Sequence, residues 1–183
     1  RRKQKNCSNY IWRRIILMKK RILFVCMGNI CRSPAAEGIA KKFLEKRGLN
    51  STIEIDSAGT LDYHTGELPD SRMILHASKR GYRLDSRARQ FIQKKDFEYF
   101  DYIVTMDDDN YAEITSLDIN NKYKDKIFKM VSFGTKLNVE EVPDPYYSGS
   151  DGFEQVLDIL EDSVNGLINK VEDDIRRENK SQN

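Results

Sequence analysis

The sequence predicts an α/β fold in which a parallel sheet is wound with helices on both faces. Three observations carry that reading. Short apolar or alternating runs at residues 22–25, 52–57, 102–106 and 127–131 read as strands. Stretches with apolar residues at helical spacing lie between and after them. The first run leads directly into a tight loop and a helix start, and ligands in such sheets bind beyond the carboxyl ends of the strands. With 183 residues, 39% hydrophobic and 33% charged, the chain suits one globular domain with a sizeable core.

Residues 1–17 look foreign to this pattern. Arg1, Arg2, Lys3, Arg13, Arg14 and the lone Trp12 make a basic, irregular segment ahead of Met18. A membrane-surface or acidic-partner arm is one reading. An extension outside the fold, disordered or loosely packed, is the reading adopted, with the domain itself at residues 18–173.

The apolar strand at 22–25 is followed by a helix with Ala36, Ile39, Ala40, Phe43 and Leu44 on one side, closed by Gly48. The alternating strand at 52–57 opens into an aperiodic loop over residues 61–69, well placed to border a site. Asp70 or Ser71 caps a second helix running through Met73, Ile74 and Ala77 to Gly81. Phe91, Phe97 and Phe100 flank a short polar turn before the third strand. The acidic cluster Asp107, Asp108 and Asp109 suggests metal at first sight. Acidic residues also complement the dipole at a helix start, and Tyr111, Ile114 and Leu117 supply the helical spacing that follows. The helix start is the better reading. After the fourth strand comes a loop with Pro143, Asp144, Pro145, Tyr146 and Tyr147, then a long helix whose stripe from Phe153 to Val171 faces a core. Residues 174–183 read as a polar tail that frays.

The stretch from Cys26 to Pro34 holds the chemistry. Cys26 stands at the tip of the first strand, facing a helix N-terminus. Gly28 is suited to positive φ and Asn29 tolerates it, so the backbone N–H groups of the loop can turn inward as an anion nest. The nest and the helix dipole favour a thiolate over a free thiol of pKa about 8.5. Arg32 offers a planar fork for two phosphoryl oxygens, Ser33 can cap the helix and point its hydroxyl at Cys26, and Pro34 fits the first turn. The competing reading is a buried structural cysteine with a surface arginine. A nucleotide-binding loop fits less well, because no Gly-Lys-Ser/Thr follows.

Composition excludes several classes. A net charge of +2 gives no electrostatic case for nucleic acid. No apolar run is long enough to span a bilayer, and no signal-peptide core occurs. Three cysteines do not make a disulfide framework, so a reducing cytoplasm is the expected setting.

A thiolate that attacks a phosphate monoester needs a proton donor for the departing oxygen. Asp144 is the candidate, its backbone restricted by Pro143 and Pro145 and its surroundings walled by Tyr146 and Tyr147. A rigid exposed turn with tyrosines on the surface explains the same residues. The pattern alone does not separate the two.

The stretch Phe24 to Glu37, with Asp56-Ser57-Ala58-Gly59-Thr60, Ala88-Arg89-Gln90 and Asp144-Pro145-Tyr146-Tyr147, closely resembles the low-molecular-weight protein tyrosine phosphatases, collinearly from about Met18 to Asp173. The resemblance implies a flavodoxin-like three-layer sandwich with four parallel strands and a two-step hydrolysis without metal or other cofactor. It makes Cys26 the nucleophile, Arg32 the phosphate clamp, Ser33 the thiolate partner and Asp144 the acid and then base. Met27, Gly28, Asn29, Ile30 and Cys31 complete the phosphate loop, and Asn29 and Ser57 hold its shape. Cys31 matches a cysteine that in the family forms a reversible disulfide with Cys26. Tyr63, Tyr146 and Tyr147 match aromatic positions of the substrate cleft. The implied partner is a phosphotyrosine protein or peptide, the product inorganic phosphate, and the protein a monomer.

One departure stands out. Where many members carry a histidine bonded to the loop asparagine, this chain has Ser86, so loop support is expected from Ser86, Arg87 or water. His64 is expected in solvent or touching substrate, and His76 on a helix surface. A protein-arginine phosphatase is the near alternative, although that activity goes with a smaller Thr in place of Ile30. An arsenate reductase would need cysteines after Cys31, and none occurs. A non-catalytic phosphopeptide-binding module needs neither thiolate nor acid.

Overall fold

The computed structural model describes residues 19–181. The basic extension at residues 1–17, with either reading of it, lies outside the described residues. The elements are β1 (Lys20–Cys26), α1 (Arg32–Arg47), β2 (Ile53–Gly59), α2 (Ser71–Lys79), α3 (Gln93–Tyr99), β3 (Tyr102–Thr105), α4 (Asp108–Leu117), β4 (Ile127–Lys129) and α5 (Ser150–Ser181). The strands form one parallel sheet in the order β2-β1-β3-β4. This is the flavodoxin-like, three-layer arrangement that the resemblance implies.

Strand alternation explains why both faces are covered. Ile22 and Phe24 point into a core shared with α1 and α5, including Ile39, Leu44, Phe153 and Leu160. Leu23 and Val25 point the other way, onto Phe91, Phe97, Ile103 and Ile114 beneath α3 and α4. All four β1 residues are fully buried, which is why the run reads as continuously apolar rather than alternating. Because β1 pairs with β2 on one side and β3 on the other, the strand order reverses beside it, and Cys26 closes its carboxyl end.

Several expectations are corrected. The polar turn between Phe91 and Phe100 contains the helix α3, one side of which buries Asp96 and Phe97. The fourth strand ends at Lys129, and Met130–Phe133 form a 3-10 turn against α5. The chain past Asp173 does not leave the fold. Helix α5 continues to Ser181 because Ile175 is buried, Asp174 accepts from the Tyr102 hydroxyl, and Glu178 pairs with Lys20 at 2.7 Å. His76 is not on the surface either: it is buried, stacked on Phe153 with centroids 5.4 Å apart, and paired with Glu154. Among the described residues no helix is long and apolar enough to cross a membrane.

Candidate active site

The loop between β1 and α1 is built by backbone constraints. The positive φ falls on Asn29, at 55°, and not on Gly28 as the sequence suggests. Gly28 leaves room for a neighbour: a Cβ there would stand 3.0 Å from the His64 ring, which would have to give way. Gly59, at the end of β2, is packed under the same loop, where a Cβ would meet the Met27 carbonyl at 2.8 Å. Among the described residues, the backbone N–H groups of Met27 to Cys31 make no hydrogen bond with protein. A row of unsatisfied main-chain donors beside the Cys26 thiol is the kind of backbone that can accept an anion.

Ser33 is not the helix cap, since α1 begins at Arg32 with Cys31 in the capping position and no side-chain cap bond. Its hydroxyl lies inside the loop instead, 3.0 Å from Cys26 Sγ. Asn29 Nδ2 donates to Ser33 Oγ and to Ser57 Oγ, both at 2.9 Å. Ser57 in turn donates to the buried Glu37 at 2.5 Å. With Asn29 filling an acceptor site on Ser33, the serine proton is left for Cys26 Sγ or, at 3.3 Å, the Ala58 carbonyl. A thiolate cannot donate, so ionisation of Cys26 commits that proton to sulfur.

Asn29 also explains the departure at Ser86. Its Oδ1 accepts from the backbone N–H of Arg89 at 2.9 Å. Ser86 makes no side-chain hydrogen bond among the described residues, and Arg87 reaches the Gly66 carbonyl rather than the loop. Among the described residues the loop asparagine is thus held by a main-chain donor and not by the side chain of Ser86 or Arg87. Arg89 is itself fixed: its guanidinium bridges Asp56 at 2.8 Å and the buried Asp96 at 2.9 Å. Sequence reading missed this because a main-chain amide has no residue signature.

Arg32 is 2% exposed although it is the cation of the site. Its Nη1 contacts Asp107 Oδ2 and donates to the Val142 carbonyl at 3.1 Å, while Nη2 lies 3.2 Å from Asp144 Oδ2. Burial works against its charge, yet the charges of Cys26 and Asp144 and the bond to Asp107 outweigh it and raise its pKa above the ordinary value. Asp107 caps α4 through Asn110 N, as a helix start should, but its other oxygen meets Arg32. That second role is absent from the helix-start reading. The adjacent Asp108 pairs with Lys129.

Asp144, from the loop before α5, faces the loop from the far side. Together with Cys26, Ile30, His64, Tyr146 and Tyr147 it lines one open cleft. Tyr147 is 94% exposed and its ring meets that of Tyr146 edge-on at 5.0 Å, so the pair forms an outer wall. Tyr63 is not part of this lining: it is 79% exposed, and its neighbour His64, held to Glu67 at 2.7 Å, takes the place expected of it. Adjacent residues in an irregular loop point in different directions, and no periodicity shows which one turns inward. Cys26 and Cys31 are both buried free thiols. Burial first, and then the charges of Asp70, Cys26 and Asp144, push the Cys31 thiol well above the usual cysteine range.

The arrangement has recognisable relatives. Residues 21–178 match the family model described as low molecular weight phosphotyrosine protein phosphatase. A Synechocystis protein provisionally named a low molecular weight protein-tyrosine-phosphatase is 49% identical, over 81% of this chain and 94% of its own. A protein tyrosine phosphatase from Entamoeba histolytica superposes with a TM-score of 0.82 at 50% identity, over 85% of this chain and 98% of that one. A Drosophila arginine phosphatase superposes with a TM-score of 0.75 at 30% identity, over 82% and 96%. The chain belongs to the low molecular weight phosphotyrosine protein phosphatases.

Proposed function

We propose that the protein hydrolyses phosphotyrosine in proteins through a phosphocysteine formed on Cys26. The carrying observation is the run of loop N–H groups from Met27 to Cys31, unpaired with protein among the described residues, beside a sulfur that a serine hydroxyl touches at 3.0 Å, with Arg32 at the loop's end 3.2 Å from Asp144. The N–H groups and the Arg32 fork bind the phosphoryl oxygens and gain strength as charge builds on them. Cys26 Sγ attacks phosphorus as the bond to the tyrosyl oxygen breaks, and Asp144 gives that oxygen its proton. A water then attacks the phosphocysteine, Asp144 accepts its proton, and the thiolate departs toward Ser33. Atoms balance as one ester and one water giving one phenol and one phosphate.

The Tyr146–Tyr147 wall offers an aromatic face to a phenyl leaving group, and Ile30 narrows the cleft where the arginine-directed activity goes with a smaller Thr. The arginine phosphatase among the relatives makes phosphoarginine the comparison to run. We also infer that the enzyme works as a monomer in a reducing compartment, since one chain supplies every site residue and the free Cys26 thiol must persist.

The test is a side-by-side assay of phosphotyrosine, phosphoarginine and phosphoserine peptides with Cys26→Ser as the blank. Phosphotyrosine turnover that disappears in the variant, while phosphate-ion binding survives and chelator has no effect, is the expected result. Turnover by Cys26→Ser would sink the mechanism, and a preference for phosphoarginine would replace the substrate.

A further inference from the structure

Arg72, in the first turn of α2, is outside the phosphate loop, and the sequence pattern gives it no task. Its contacts nevertheless run from that loop to the proposed acid. Nε and Nη2 hold the two oxygens of Asp70 at 3.0 and 2.7 Å. The Asp70 backbone N–H donates to the Ile30 carbonyl at 2.8 Å, which fastens this end to the phosphate loop. On the other side, Arg72 Nη1 donates to the Tyr146 carbonyl at 3.1 Å. The guanidinium also lies 5.2 Å from the ring centre of Tyr146 and 5.0 Å from that of Phe153.

Tyr146 passes this restraint to Asp144. Pro143 and Pro145 have no N–H to offer, so the amide of Tyr146 is the donor that Asp144 Oδ1 finds, at 3.1 Å. Among the described residues the other polar tie on Asp144 is Arg32 Nη2, the group proposed to bind the phosphoryl oxygens. A bound phosphoryl group competes for that fork. The restraint that remains for Asp144 is the one through Tyr146 and Arg72.

We propose that Arg72 is a positioning residue for proton transfer, holding the Asp144 loop at a fixed height over Cys26 by gripping Tyr146 and Asp70 together. It touches neither the phosphoryl group nor the leaving oxygen, and the proposal rests on Asp144 being the acid. The position matters because a carboxyl must stand within hydrogen-bond reach of the departing oxygen, and small misplacements cost large factors in rate.

The experiment compares kcat/KM for phenyl phosphate, whose leaving group needs a proton, with that for 2,4-dinitrophenyl phosphate, whose leaving group does not. Arg72→Met keeps the aliphatic stem and removes the fork. It should lower the phenyl phosphate value about tenfold and leave the dinitrophenyl value within about twofold, which also shows the variant is folded. Asp144→Asn should lower the phenyl value about 100-fold or more, and adding Arg72→Met to it should have no further selective effect, because the two act through one group. Equal losses on both esters from Arg72→Met, or full additivity with Asp144→Asn, would overturn the positioning role and leave the acid standing. An Asp144→Asn variant that slows both esters alike would overturn the acid assignment, and the proposal with it.

Discussion

The buried Arg32 is joined to the half-buried Asp107, which divides its two oxygens between a guanidinium and a helix cap. Oδ1 accepts from Asn110 N at 2.7 Å, and Oδ2 meets Arg32 Nη1. Each oxygen therefore has an occupation that the other cannot take over. The carboxylate orients the phosphate clamp and starts α4 with the same atoms.

Asp107→Asn separates the two duties. If the amide oxygen keeps the cap, an NH2 group faces an arginine that has only donors. If the amide turns over, the cap is lost. Either way a buried polar group is left without a partner, at about 1–3 kcal/mol. We expect kcat/KM for an aryl phosphate to fall about 10- to 100-fold, with weaker binding of phosphate ion measured by calorimetry. Unchanged phosphate affinity would mean that Arg32 is oriented by Val142 and Asp144 alone.

Asn29→Ala should loosen the phosphate loop. The side chain makes bonds to Ser33, Ser57 and Arg89, all near 2.9 Å, and its backbone has a φ of 55°, which alanine adopts poorly. Losing those bonds while stranding the Arg89 amide costs about 2–4 kcal/mol in urea unfolding. Asn29→Asp keeps the acceptor for Arg89 but gives up the two donors and buries a carboxylate in the network around Cys26, so it should be no more stable than alanine. A fully stable alanine variant would show that β1 and α1 hold the loop unaided.

Cys31 links stability to alkaline pH. Its folded pKa is raised by burial and neighbouring negative charge, whereas in the unfolded chain it ionises near pH 8.5. Above that pH the unfolded state binds fewer protons than the folded state, so stability falls as pH rises, by up to about 1.4 kcal/mol per unit. Tyr82 and Tyr102, also raised by burial, contribute only from about pH 10 upward. Denaturant unfolding between pH 8 and 10 should therefore show a downward slope that is shallower in Cys31→Ala. Equal slopes would place the Cys31 proton on the same footing in both states.

Much of this was legible in the chain. The apolar run ending at Cys26, the glycine and asparagine that follow and the helix beyond gave the strand, the loop and the phosphate site. The two prolines around Asp144 fit a proton donor and a rigid exposed turn equally well, and it is the fold that brings it 3.2 Å from Arg32. Contacts between distant elements were not legible. Asp107 reads as a helix start because that is half of what it does. Arg72 reads as an ordinary helical arginine because its partners, Tyr146 and Phe153, come from loops and helices far along the sequence. Helix α3 is not legible in the sequence because seven residues hold too little periodicity to announce a helix. The polar end of α5 looked like a tail because three of its anchors, Asp174, Ile175 and Glu178, are spaced among exposed charges.

The phosphate loop leans on the main-chain amide of Arg89 where relatives were expected to supply an imidazole. An amide has no proton to gain or lose between pH 5 and 8, whereas a histidine in that position crosses its titration there. Asn29, Ser57 and Ser33 do not titrate in that range either. The groups that touch the loop asparagine are therefore all uncharged, and the carboxylates of the framework, Glu37 behind Ser57 and Asp56 and Asp96 behind Arg89, stand one bond further out. The loop asparagine is thus held by a main-chain amide whose own residue, Arg89, is tied down by two carboxylates, so a salt bridge outside the loop stands in for the expected ring within it.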